Sequence, residues 1–205
     1  MKKVLILLMS LMLACGCAFA EDAVTSATLE IDKLPEAEAE ENGILVVWFS
    51  PDDTTKAAAY AIAAELKADM FEIAAEEPYT ADDLNYFDSK SRSMTELKDN
   101  SIWPAIAALP EDLSRYDTIW LGYPIWSGQA PKIMYTFLES VDLSGKTIIP
   151  FCTSNSSGIG SSAVNLQKAA GEDVKWEKGG RIKKGSNAED IARWVREICT
   201  TEASE

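Results

Sequence analysis

Ile44-Leu45-Val46-Val47-Trp48-Phe49 is an unbroken apolar run of strand length, which suits a strand covered on both faces. The alanine-rich stretch from Thr54 to Lys67 predicts a helix whose small side chains let it lie close to a sheet. Met70-Phe71-Glu72-Ile73 predicts a second, short strand, followed by a long connection over residues 74–116. Within it, Thr80 with Asp83 three places on is the pattern of a helix start, and that helix fades before Pro104. A third strand runs from Asp117 to Gly122. Pro131 opens the next helix, with Ile133, Met134, Phe137, Leu138 and Val141 on one side. Thr147 to Cys152 forms a fourth strand. A Ser/Gly-rich loop then leads into a helix from Ser162 to Ala170. Val174-Lys175-Trp176 opens a fifth, edge strand. Asn187 caps a last helix in which Ile191, Trp194, Val195 and Ile198 recur at helical spacing.

Strands alternating with helices predict an α/β three-layer sandwich: a five-stranded parallel sheet with helices on both faces. Right-handed crossovers favour the order 2-1-3-4-5, which has one switch point, between strands 1 and 3. Ligands bind outside the carboxyl ends of strands at such a point, where the loops beginning at Ser50, Tyr123 and Thr153 converge.

The ends of the chain read differently. Lys2 and Lys3, the apolar stretch Val4 to Leu13 and the small-x-small site Ala18-Phe19-Ala20 predict a signal peptide over residues 1–20. A rival reading of the same segment is a lipid anchor at Cys15 or Cys17. Either way the protein is expected to be exported across the cytoplasmic membrane, to the periplasm or beyond. Residues 21–42, rich in Ala, Glu and Asp, read as an acidic tether, residues 43–200 as the folded domain, and 201–205 as a flexible tail.

Charge and composition narrow the chemistry. Lys and Arg total 19 against 33 for Asp and Glu, a net charge of −14, which repels nucleic-acid backbones. There is no histidine, so the usual general base and the common nucleophile systems are missing. That leaves a Ser157 or Ser161 hydrolase without its partner, and any chemistry is expected to ride on a cofactor or on carboxylates. Beyond the signal, Cys152 ends a strand and Cys199 a helix running back to the opposite edge, roughly 20 Å apart at 1.5 Å of rise per helical residue. Two buried, separate thiols are expected rather than a disulfide.

Two of the three loops carry residues suited to a ligand. Thr153-Ser154-Asn155-Ser156-Ser157-Gly158-Ile159-Gly160 combines glycines with hydrogen-bonding side chains, and reads either as a ligand loop or as an ordinary flexible turn. Gly122-Tyr123-Pro124-Ile125-Trp126-Ser127-Gly128 places a large aromatic at the ligand edge, where Trp126 either stacks on a ring or packs as core. This second segment, continuing through Ala130-Pro131 and Tyr135 to Glu139, resembles the flavodoxin family, in a subgroup frequent among exported bacterial proteins. Glu77-Pro78-Tyr79-Thr80, Ser144-Gly145-Lys146 and Pro150 to Ser162 resemble it too. The resemblance implies a flavodoxin-like fold and noncovalently bound flavin mononucleotide (FMN), with electron transfer or reduction of a small acceptor such as a quinone. It places Ser50, Thr54 and Thr55 at the phosphate, and Tyr123, Pro124, Ile125, Trp126 and Gly128 along the ring. Thr153, Ser154, Asn155, Ser157 and Gly158 fall at its polar edge.

The first loop departs from the family pattern Ser/Thr-x-Thr-Gly-Asn-Thr. It reads Ser50-Pro51-Asp52-Asp53-Thr54-Thr55, with carboxylates where Thr and Gly are expected. A phosphate some 6 Å from one carboxylate feels about 4 to 6 kcal/mol of repulsion at an effective dielectric of 20. Asp53 is also a good helix N-cap, so the protein's own carboxylate is the competing occupant. The alternative function is therefore a flavin-free binding or interaction domain on the same fold.

Overall fold

The computed structural model describes residues 42–202, so the expected signal peptide and all but the last residue of the expected tether lie outside the described residues. Asn42 already belongs to the fold. Its Nδ2 donates to the carbonyls of Leu66 and Lys67 at the end of the first helix, at 2.8 and 3.3 Å.

The elements in chain order are β1 (Ile44–Trp48), α1 (Thr54–Leu66), β2 (Asp69–Glu72), α2 (Arg92–Lys98), β3 (Thr118–Pro124) and α3 (Lys132–Ser140). β4 (Thr147–Ser154), α4 (Ser162–Ala169), β5 (Lys175–Trp176), β6 (Gly180–Lys183) and α5 (Ala188–Glu202) complete the fold. The sheet is parallel throughout, in the order β2-β1-β3-β4-β5, with β6 also pairing β4. This is the flavodoxin-like α/β arrangement.

Strand residues alternate between two cores. Leu45, Val47, Ile119, Leu121, Ile148 and Cys152 face α3 and α4, where Ile133, Met134, Phe137 and Leu166 cover them. Val46, Trp48, Trp120, Ile149, Phe151 and Ile182 face the other way, against Ala59, Ile62 and Ala63 of α1 and Ile191 and Val195 of α5. The small alanines are what let α1 settle on the sheet, and Asn187 caps α5 as expected, its Oδ1 accepting from Asp190 N at 2.8 Å. α5 runs to Glu202, two residues into the segment expected as a tail.

Four expectations need correcting. The Thr80/Asp83 pair closes a turn, not a helix: Asp83 Oδ2 accepts from Thr80 N at 2.8 Å and Thr80 Oγ1 at 2.7 Å, and the helix of this connection starts at Arg92. Pro131 is the N-cap of α3, whose first residue is Lys132, and Val141 is its C-cap in extended conformation. Cys152 is buried but Cys199 is exposed, because it lies on the outer side of α5. Finally, the edge position is filled by two strands in place of one. Ile148 pairs with Trp176 and Phe151 with Gly180, so residues 177–179 face only Ile149 and Pro150. Pro150 has no N–H to offer the edge, and the extra residue bulges there. Gly179 lies so close that a Cβ would stand 1.6 Å from the Pro150 carbonyl oxygen.

Candidate functional site

The carboxyl ends of β1, β3 and β4 open into one cleft of about 470 Å³. Three loops supply its walls. Pro51, Asp52 and Thr54 come from the loop after β1, Pro124 to Ser127 from the loop after β3, and Thr153 to Ser157 from the end of β4 and beyond.

The β3 loop is a tight hairpin. Trp126 and Gln129 exchange both backbone hydrogen bonds at 2.9 Å, and the two residues between them, Ser127 and Gly128, have φ of 46° and 83°. That left-handed pair makes the reversal. Gly128 is therefore exposed and conformational in role, outside the cleft lining. Ile125 N donates to Thr153 O at 3.0 Å, which ties this loop to the next.

Trp126 is half-buried, and its ring meets Phe49 and Tyr79 edge-on at centroid distances of 5.8 and 5.5 Å. It thus packs on the core and lines the cleft at once. Tyr79 is anchored behind it: its hydroxyl donates to Glu96 Oε2 at 2.7 Å, and the Arg92 guanidinium sits 4.0 Å above its ring. Burial, and then the bond to Glu96, raises the Tyr79 pKa far above the usual phenol value.

Other candidate residues brace the loops from behind. Thr55 and Thr153, both buried, share a hydrogen bond of 2.7 Å that ties the first turn of α1 to the end of β4. Tyr123 is fully buried, its hydroxyl 3.0 Å from Ser162 Oγ at the start of α4, and burial raises its pKa well above the ordinary phenol value. Ser154 Oγ bonds the Ser157 carbonyl and closes the β4 loop on itself. Thr54, Pro124, Ile125, Trp126, Thr153, Ser154, Asn155 and Ser157 line the cleft; Ser50, Thr55, Tyr123, Gly128 and Gly158 do not.

At the α1 end the carboxylate that meets the helix is Asp52, which corrects the expectation for Asp53. Asp52 Oδ1 accepts from Thr54 N at 3.2 Å and Oδ2 from Thr54 Oγ1 at 3.0 Å, whereas the Asp53 side chain makes no cap bond. Asp53 instead takes a left-handed backbone, φ 58°, the conformation a glycine would hold most cheaply. Ser50 Oγ is buried with no hydrogen-bond partner among the described residues.

Sequence reasoning missed the fourth wall. Leu84, Tyr86, Ser93 and Met94, all from the connection between β2 and β3, close the cleft, and Lys184 after β6 brings a cation to it. The available signal was Tyr86-Phe87, two adjacent aromatics in a polar stretch; they are 68% and 83% exposed.

The sequence profile of the flavodoxin family matches residues 43–198. The chain belongs to the flavodoxin family. Among solved structures, this flavodoxin-family chain is 39% identical to a candidate flavoprotein from Bacteroides eggerthii, over 76% of its own length and 97% of the other, with a TM-score of 0.70. A candidate flavoprotein from Bacteroides uniformis is also 39% identical, over 75% and 97%, with a TM-score of 0.71. A Lactobacillus acidophilus flavoprotein in complex with FMN is 19% identical over 73% and 97%, with a TM-score of 0.57, which speaks to the shared fold. No curated protein matches the chain.

Measured against a flavin, the aromatic lining of the cleft and its α1 end differ. Trp126 and Tyr86, with hydroxyls and backbone groups of the β4 loop also in the lining, suit a flat heteroaromatic ring. The α1 end presents a carboxylate already bonded to the helix, where a phosphate needs free donors. The nearest cation along the helix, Lys56, is engaged 3.3 Å from Glu72.

Proposed function

We propose that this chain is a noncovalent flavoprotein, taking FMN into the cleft and serving electron transfer or the reduction of a small acceptor such as a quinone. The observation that carries the reading is the cleft itself. It opens at the sheet's switch point, and a half-buried Trp126 forms its aromatic wall. Pro124, Ile125 and Trp126 would bound the ring, while Thr153, Ser154, Asn155 and Ser157 would meet its polar edge. When bound, the flavin supplies the one- or two-electron chemistry. What the chain contributes is orientation, exclusion of water at the Trp126 face and hydrogen bonds to the ring edge. The absence of histidine suits a protein that needs no side-chain acid or base. The basic start and apolar stretch of residues 1–20 support export, with cleavage after Ala20 or lipid attachment at Cys15 or Cys17.

The test is the visible spectrum of the purified protein after incubation with excess FMN and gel filtration. A yellow protein with stoichiometric flavin is expected, and a colourless one with no measurable affinity overturns the reading. One observation favours a second reading, a flavin-free binding domain on the same fold. Asp52 already takes the N–H and the hydroxyl of Thr54 at the helix end that a phosphate would approach.

A further inference from the structure

We infer that Asp52 sets the ligand selectivity of the cleft, so that a flavin is held through its ring and its 5′-phosphate adds no affinity. This rests on the flavin reading above.

Three observations converge on it. The first is occupancy. The Asp52 carboxylate takes both the backbone N–H and the hydroxyl of Thr54, the first residue of α1 and one with which the helix start would meet an anion. The second is charge. The lining of the whole cleft holds two charged residues, Asp52 and Lys184. Lys184 enters from the β6 edge, its backbone N–H 3.4 Å from the Ser154 carbonyl oxygen, while the charged side chain bonded to the start of α1 is the Asp52 carboxylate. Lys56, in the first turn, is drawn to Glu72. The third is the aromatic wall. Trp126 is held by Phe49 and Tyr79, so ring contacts are preformed without reference to a phosphate. A dianionic phosphomonoester entering the α1 end must displace Asp52 from Thr54 and then remain beside it. A neutral ribityl chain ending in a hydroxyl meets no such repulsion and can donate to the same carboxylate.

The experiment compares FMN and riboflavin by fluorescence titration of the purified full chain at low ionic strength, wild type against Asp52→Asn. Asparagine keeps an Oδ1 for Thr54 N, removes the charge and puts an Nδ2 donor where Oδ2 accepted, to which the Thr54 hydroxyl can accept in turn. Riboflavin is expected to bind the wild type at least as tightly as FMN. The variant is expected to tighten FMN fivefold or more while moving riboflavin less than twofold. Tighter binding of FMN than of riboflavin by the wild type overturns the inference, and so does an unchanged FMN-to-riboflavin ratio in the variant. Binding of neither flavin overturns the functional reading and this inference with it. If Asp52→Asn fails to fold, Asp52→Ser, which keeps an oxygen acceptor and removes the charge, substitutes for it at the same ionic strength. The same fivefold gain of FMN over riboflavin is expected, and an unchanged ratio overturns the inference.

Discussion

Removing one hydroxyl, by Tyr79→Phe, tests whether the aromatic wall of the cleft is braced from behind as described. Glu96 is 2% exposed, and its two oxygens have separate donors: Tyr79 Oη at 2.7 Å on Oε2, Arg92 Nε at 2.7 Å on Oε1. Phenylalanine keeps the ring and its edge-on contacts with Phe49 and Trp126, so buried apolar area hardly changes. What is lost is a hydrogen bond to a buried carboxylate, a class of bond worth about 1.5–3 kcal/mol. The Arg92 bond survives, which places the expected loss in the lower half of that range. With a urea m-value of ~1–3 kcal/mol/M, the unfolding midpoint should fall by roughly 0.5 to 2 M while m stays constant. Circular dichroism across a urea series reads both quantities. In the double variant with Glu96→Ala the combined loss should be smaller than the sum of the single losses, because the same bond is removed twice. A midpoint unchanged by Tyr79→Phe, or full additivity, would refute the reasoning by showing that Glu96 draws its second donor from water.

The backbone approaches make a ranked pair. Gly122→Ala drives a Cβ to 2.2 Å from the Phe151 ring, and overpacking of this kind costs about 1–3 kcal/mol. Gly179→Ala meets the fixed carbonyl of Pro150 and should lower the melting temperature further; a smaller loss at Gly179 would contradict the bulge. Alkylation mapped residue by residue at pH 8 should modify exposed Cys199 and spare Cys152, whose buried thiol is pushed up to about 12. Stability should fall as pH rises above ~10, because Tyr79 and Tyr123 ionise readily only in the unfolded chain. Difference absorbance at 295 nm should then show those two of the six tyrosines titrating only with unfolding. On the acid side Asp83, Asp99, Asp112 and Asp142, each held below the usual carboxylate range by hydrogen bonds from a nearby Thr or Ser, stabilise the fold above ~pH 4 and cease to as pH falls further. Unfolding monitored from pH 5 to 2 should show that decline.

Much of the fold was legible because burial leaves marks in composition. β1 could be read from six consecutive apolar residues, and α1 from its alanines, since a strand covered twice and a helix pressed on it admit few alternatives. The errors fall where a local signal lacked support or a distant residue intervened. Thr80 and Asp83 do form their reciprocal bonds, yet no apolar period follows to propagate a helix, so the nucleus closes as a turn. The split edge strand follows from Pro150 on the neighbouring strand, which segment-by-segment reading of residues 174–183 does not consult. At the site, the three loops were legible from topology alone. Tyr86, Met94 and Lys184 were not, because no pairing or period fixes where the connection between β2 and β3 and the turn after β6 come to rest.

The first loop separates two properties that its sequence pattern joins. Glycine in the family pattern serves backbone shape, and the threonine beside it serves the ligand. Here Asp53 holds the left-handed turn at φ 58° without glycine, so the chain still leaves β1 and enters α1 along a path that brings Pro51, Asp52 and Thr54 to the cleft. Thr55 remains buried against Thr153, which fixes the start of α1 relative to β4 whatever occupies the cleft. The loop's shape therefore follows from packing of α1 on the sheet, and of its two carboxylates only Asp52 lines the cleft. Asp53→Gly should accordingly relax backbone strain and move flavin selectivity less than Asp52→Asn, which should change selectivity and leave the fold intact. Measuring both variants for melting temperature and for the FMN-to-riboflavin ratio separates the two roles. A shift in the ratio with Asp53→Gly, of the size expected for Asp52→Asn, would mean that shape and charge in this loop are not independent.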